Sequence, residues 1–283
     1  MYLLFMVGEP LIIKAALTGM IPTKEMTHFV PITPKEIARD AVKVYKLGTS
    51  CIHVHARDPV TGAPSCDVEV FREIFDRILD RCPDVILCAT TSGRVNPQVE
   101  HRSEVLRLKP EMASLTMGSM NFPHHPSVNS PDTIKQLATI MMRKGILPEL
   151  EVFESGFINY TKYLVREGIL REPLHFNLLL GSLGAIPAGL RDLSYLVDSL
   201  PPGSTWAATG IGRFQTQINT AAILMGGHVR VGIEDSIYYY YPDKKLASNE
   251  TLVKRIVRLA GELGREPASP SEAREILGLR KKK

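Results

Sequence analysis

The sequence predicts a (β/α)8 barrel of the TIM-barrel class with a short C-terminal helical extension, residues 1–283 forming one domain. Three observations predict it. Short β-rich runs alternate strictly with longer segments of helical period, which implies parallel strands joined by right-handed crossovers. About eight such runs fit the chain, the number a closed barrel needs. An open doubly wound sheet would put a glycine-rich phosphate loop after its first strand, and Leu17-Thr18-Gly19-Met20-Ile21-Pro22 does not resemble one.

In chain order, the strands are expected at 11–19, 50–57, 85–93, 112–118, 148–153, 175–181, 205–212 and 229–235, each β-rich and closed by polar or turn-forming residues. The first helix opens at Thr33-Pro34-Lys35-Glu36, with Thr as N-cap, Pro at the first helical position and Glu three residues after the cap. It runs to Leu47 and stops at Gly48. Asn129-Ser130-Pro131-Asp132 opens another helix in the same manner, and Lys144-Gly145 closes it. Gly226-Gly227 reads as a helix C-cap before the last strand. Ser269-Pro270-Ser271-Glu272 starts the terminal helix, which ends at Leu277.

At 283 residues and 44% hydrophobic content the chain can bury a large core. Its formal charge of +4 is modest, and Arg280-Lys281-Lys282-Lys283 supplies part of it as a solvated tail, so no nucleic-acid partner is expected. Trp206 and the scattered tyrosines form no stacking platform. Residues 1–7 read as a short leader lacking the basic flank and length of a signal peptide, and no run approaches a membrane span. Cys51, Cys66, Cys82 and Cys88 show no Cys-x-x-Cys spacing, which favours reduced thiols in the cytoplasm.

A barrel collects its chemistry at the C-terminal ends of its strands. His53-Val54-His55 lies there, and two histidines two apart on a strand face the same way, as metal ligands or as packed core side chains. Arg230 and Glu234, four apart, share a face if the last strand runs through both, while Asp235 faces away or belongs to the loop. Glu234 is the candidate third ligand of a His2Glu site; its alternative is a salt bridge to Arg57 or Arg230. Glu149 and Glu151 form a same-face acidic pair. His124-His125 sits in a loop, His28 and His101 read as surface residues, and His175 and His228 stand at the N-terminal strand ends. Gly210-Ile211-Gly212-Arg213 fits a phosphate-binding rim, and Tyr238-Tyr239-Tyr240-Tyr241 a subunit interface or pocket lid. No Ser–His–Asp order, Cys–His nucleophile or Walker loop emerges.

Several segments together resemble the β-keto acid cleavage enzyme family, nearly end to end. They are Thr33-Pro34-Lys35-Glu36-Ile37-Ala38, His53-Val54-His55-Ala56-Arg57-Asp58-Pro59, Ser114-Leu115-Thr116, Pro148-Glu149-Leu150-Glu151-Val152-Phe153, Gly226-Gly227-His228-Val229-Arg230-Val231-Gly232-Ile233-Glu234-Asp235 and Glu272-Ala273-Arg274-Glu275-Ile276-Leu277. The resemblance implies a homotetrameric barrel holding Zn2+ or another divalent metal on His53, His55 and Glu234. It implies the reaction of a β-keto acid with acetyl-CoA to give acetoacetate and a new acyl-CoA. Asp235 matches the acid that transfers the proton, with Arg230 setting its position and charge. Thr90 and Thr116 match substrate contacts, and either Glu149 or Glu151 a second acid. Members acting on the amino-bearing keto acid resemble one another in a Glu just after the first strand. This chain has Met20 there, so a neutral or hydrophobic substrate side chain is expected over a cationic one. The competing expectation is a metal-dependent hydrolase or aldolase on the same barrel that does not use CoA.

Overall fold

The structure, a computed structural model, describes residues 8–123 and 125–280. The expected leader, His124 and the last three lysines lie outside them. Eight parallel strands close into a barrel in sequence order: β1 (Ile13–Ala16), β2 (Cys51–Val54), β3 (Ile86–Ala89), β4 (Met112–Thr116), β5 (Leu147–Val152), β6 (His175–Leu180), β7 (Thr205–Gly210) and β8 (His228–Val231). Helices α1 (Pro34–Tyr45), α2 (Val68–Arg81), α3 (Val99–Ser103), α4 (Pro131–Lys144), α5 (Ser155–Arg166), α6 (Leu190–Asp198), α7 (Gln215–Leu224) and α8 (Asn249–Glu262) follow the strands in turn, and α9 (Pro270–Leu277) ends the fold. No helix among the described residues is long and apolar enough to cross a membrane.

The helix starts obey the local signals. Thr33 and Ser269 each form a capping box, with Glu36 and Glu272 reaching back to the cap backbone, and Ser130 accepts from the Thr133 N–H. Gly145 closes α4 in the left-handed region at φ 69°, and Gly226 follows α7 at φ 77°. Gly227 has a second reason to lack a side chain, because a Cβ there would lie 2.4 Å from the Trp206 ring.

Several predicted strands are longer than the ladders that form. The run 50–57 leaves the barrel after Val54, and Ala56–Arg57 pairs instead with Pro64–Ser65 in a small antiparallel hairpin. The run 229–235 ends at Val231, so Glu234 is not on the strand with Arg230; residues 232–235 turn back, with the Asp235 and Ser236 amides donating to the Gly232 carbonyl. In both places residues of strand-like composition form the mouth of the barrel. Their side-chain contacts, rather than the strand ladder, decide their backbone.

Along β1, Ile13 and Ala15 face the helices while Lys14 points into the barrel, and this alternation repeats around the ring. The N-terminal end is sealed by α9: Ala273 and Leu277 pack on Ile12, Cys51, Ile86 and Met112. With that end plugged by apolar side chains, the polar interior opens at the opposite face.

Candidate active site

Two clusters of charge occupy the barrel, joined by the His53 ring. The deeper one is built by the interior positions of β1, β3, β5 and β6. Lys14 donates to Glu149 Oε1, Cys88 Sγ donates to Glu149 Oε2 at 3.0 Å, and His175 Nε2 lies 3.4 Å from the Lys14 ammonium. Burial alone would neutralise Lys14, but Glu149 reverses this and holds it well above its ordinary value. Burial likewise disfavours the Glu149 carboxylate, and Lys14, His53 and Arg230 together hold it well below the carboxylate range. His175 is kept neutral by burial and by the neighbouring ammonium. The Cys51 thiol is pushed up to about 12, chiefly by burial, so it behaves as an inert core group.

The second cluster lies at the mouth. Arg230 Nε and Nη2 donate to the two oxygens of Asp235 at 2.9 and 3.0 Å, Nη2 also reaches Glu234 Oε1 at 2.7 Å, and Nη1 stands 3.4 Å from Glu151 Oε1. One buried guanidinium thus organises three carboxylates. Thr116 Oγ1 donates to Glu151 Oε2 at 2.6 Å. Burial raises the pKa of both Asp235 and Glu151 against the pull of Arg230, whereas Glu234 is held far down: burial is outweighed by His55, Arg230 and His53.

His53 and His55 present rings 5.1 Å apart although the strand breaks between them. Nε2 of His55 lies 3.1 Å and Nε2 of His53 3.7 Å from Glu234 Oε1, so one carboxylate faces both imidazoles and Arg230 together. Glu234 thus makes the salt bridge to Arg230 and none to Arg57, and the same oxygen stands beside both imidazoles. Arg57 donates to the carbonyls of Gly19, Gly62 and Pro22, tying the loop after β1 to the loop after β2. Gly19 needs its missing side chain twice over. It holds φ 63°, and a Cβ there would lie 2.5 Å from Glu234 Cγ.

The His53, His55 and Glu234 atoms lie within 4.8 Å of one another and fit a divalent cation. Burial lowers the His53 pKa to about 3, which leaves the imidazole neutral as a ligand must be, and Glu234 Oε2 is buried with no protein hydrogen-bond partner. A second donor set, His53, Cys88 and Glu149, meets the same distance limit. It fits less well, because burial holds the Cys88 thiol far above its ordinary value and both Glu149 oxygens are already engaged. His53 Nδ1 stands 3.7 Å from Glu149 Oε2, so that carboxylate backs the ring from the deep side.

Of the predicted substrate contacts, Met20 and Thr90 line one cleft together with His55, Thr91 and Ser92, while Thr116 sits across the mouth on Glu151. Asp235 belongs to the turn, the second of its two sequence alternatives, and from there it faces Arg230. Glu149 and Glu151 separate in depth, Glu151 joining Arg230 at the mouth and Glu149 the deeper cluster. His28, His101 and His125 are exposed, and His228 Nδ1 accepts from the Ile12 amide at the sealed end. Arg213 is exposed over the Phe214 ring, and the tyrosine run forms a hairpin, Tyr238–Tyr240 with Lys245–Leu246, on which Arg255 stacks at 3.9 Å from the Tyr239 ring. Sequence reasoning missed Lys14 and Gly19. For Lys14 a signal existed: a charged residue at an inward position of the apolar run Ile12-Ile13-Lys14-Ala15-Ala16.

A family profile described as beta-keto acid cleavage enzyme matches residues 10–279. The chain is 45% identical over 276 residues to a 3-keto-5-aminohexanoate cleavage enzyme of Fusobacterium nucleatum subsp. nucleatum, covering 96% of this chain and 99% of that one. It is 33% identical over 276 residues to a 3-oxoadipate:acetyl-CoA acetyltransferase of Cupriavidus necator, covering 96% and 95%. Among solved structures, apo ObcA shares the fold with a TM-score of 0.77 at 19% identity, over 89% of this chain and 66% of that one.

Proposed function

The chain belongs to the beta-keto acid cleavage enzyme family, and from that premise we propose how its mouth cluster carries out carbon–carbon bond exchange. The chain is an enzyme that cleaves β-keto acids with acetyl-CoA, as its relatives' names indicate. The exchange moves one unit: the –CH2–COO− group leaves the substrate acyl carbon and joins the acetyl carbon, giving acetoacetate, while the substrate acyl group takes the CoA sulfur. The proposal includes a homotetramer in the cytoplasm.

The observation that carries the residue assignment is that three carboxylates meet Arg230 at the open end of the barrel and one of them, Glu234, also faces both imidazoles. A divalent cation held by His53, His55 and Glu234, a donor set that suits zinc, supplies Lewis-acid polarisation of the substrate keto oxygen when bound. Asp235 accepts a proton from the carbon between the keto and carboxylate groups. Its raised pKa makes it a stronger base than an ordinary aspartate, and the two hydrogen bonds from Arg230 fix both oxygens. Glu151 is the second acid of the site, since it shares Arg230 with Asp235 and takes the Thr116 hydroxyl. Glu149 is assigned to positioning His53 from below. Thr90 offers its hydroxyl to the substrate carboxylate or carbonyl, Thr116 acts through Glu151, to which its one proton is donated, and Met20 offers no counter-charge to an ammonium, which favours a substrate side chain without a cation.

Supplying a β-keto acid with and without acetyl-CoA tests the reaction. Acetoacetate forms only with acetyl-CoA; keto acid consumption without CoA and without acetoacetate would favour a hydrolase or aldolase. Gly19→Ala tests the mouth geometry, because the added Cβ must displace Glu234. We expect kcat/KM to fall about a hundredfold, the usual cost of an ångström-scale misplacement, with an unchanged circular dichroism spectrum. Wild-type activity in this variant would remove Glu234 from the site.

A further inference from the structure

Arg94 is a cation at the mouth that the chemistry described above does not use. It follows β3, and it is half-buried. Its Nε and its own amide each lie 3.5 Å from Ser92 Oγ, its guanidinium carbon sits 4.5 Å from the centre of the Phe122 ring, and it forms no ion pair with any described carboxylate. Ser92 Oγ is at the same time 3.3 Å from Met20 Sδ. The serine therefore places the guanidinium beside the thioether of Met20.

Arg230 shows what such a group does when its partners are within the protein: it is saturated by Asp235, Glu234 and Glu151. Arg94 senses the same carboxylates without touching one. Burial lowers its pKa, Glu234, Glu151 and Asp235 oppose that, and Arg230 adds to it. A half-buried guanidinium held only by a serine and an aromatic face retains its planar fork of donors, and the ligand that matches such a fork is a carboxylate.

We propose that Arg94 reads a second carboxylate, at the far end of the substrate side chain, so that the favoured substrates are dicarboxylic β-keto acids. The proposal rests on the β-keto acid reading of the site and narrows it. Relatives are named for an amino-bearing keto acid and for 3-oxoadipate, so family membership leaves the charge of the side chain open.

The test measures acetoacetate formation from two β-keto acids of equal chain length, one ending in a methyl group and one in a carboxylate, each with acetyl-CoA. The wild-type enzyme is expected to favour the dicarboxylic acid in kcat/KM by about tenfold or more. In Arg94→Met that ratio falls to about one, mostly through KM for the dicarboxylic acid. A wild-type ratio at or below one overturns the proposal. So does a proportional loss for both substrates in Arg94→Met, which assigns Arg94 to the carboxylate common to all β-keto acids or to a phosphate of CoA; a rise confined to the KM of acetyl-CoA singles out the latter. Should Arg94→Met not fold, Arg94→Lys carries the comparison, with an intermediate ratio expected and an unchanged one overturning the assignment. Absence of acetoacetate from every β-keto acid is a different result, because it refutes the underlying reaction rather than the role of Arg94.

Discussion

Glu234→Ala and His55→Ala are each expected to be purified without stoichiometric divalent metal and to turn over β-keto acid about a thousandfold more slowly than the wild type. Polarisation of a carbonyl by a bound cation is worth several kcal/mol of barrier, and each 1.36 kcal/mol is about a factor of ten. Plasma mass spectrometry on the purified proteins reads the metal directly, so the assignment does not depend on turnover. The fold should survive both changes. Arg230 keeps Asp235 and Glu151 when Glu234 is removed, and His55 lies beyond the end of its strand, outside the barrel ladder. Full metal occupancy in both variants would refute the ligand set and turn attention to His53, Cys88 and Glu149, the other donor group within reach.

The barrel was legible because its evidence is local and repeated. Capping at Thr33, Ser130 and Ser269, the left-handed stop at Gly145 and the alternation of β-rich and helical segments each act over a few residues. Any one of them could be lost without changing the fold class. The mouth was legible in residue identity but not in backbone. His53, His55, Arg230, Glu234 and Asp235 announce themselves by charge in an apolar context. Where strands stop is decided by contacts between distant segments: Arg57 holding the Gly19 and Pro22 carbonyls, and Gln215 donating to Gly232 O at 2.9 Å beside the turn that carries Glu234 and Asp235. Those contacts leave no mark in a strand pattern.

Depth separated what spacing could not. Glu149 and Glu151 are equivalent on a pattern of period two, and only closure of the barrel shows Lys14 beneath one and Arg230 beside the other. Arg94 carries no mark in the sequence for a related reason. Its sequence setting, Ser92-Gly93-Arg94, is that of an ordinary loop, and Met20, which lies far away in the chain, meets it through Ser92.

Lys14→Met is expected to cost more stability than loss of either candidate ligand, His55 or Glu234, at the mouth. Lys14 and Glu149 are 1% and 0% exposed, and removing the ammonium leaves an ionised carboxylate in the barrel interior touching a thiol and a neutral imidazole, with Arg230 acting on it without contact. Breaking a buried pair in this way costs about 3–5 kcal/mol, which for a domain of this size lowers Tm by roughly 10 °C. Replacing both partners, Lys14→Met with Glu149→Gln, should recover much of the loss, because no uncompensated charge remains. The pH dependence follows from the two shifts. Lys14 is held above its ordinary pKa, so its contribution is complete below about pH 10 and is lost only as pH rises through the folded value; Glu149 is held below, so its contribution is complete above about pH 5 and is lost as pH falls through its folded value. Differential scanning calorimetry across this range should therefore show a constant gap between the wild type and Lys14→Met near neutrality. The gap narrows in acid, where protonation relieves Glu149 in the variant first. Equal melting of the two proteins at pH 7 would mean that the pair contributes nothing, and that the carboxylate backing His53 stays ionised without its ammonium.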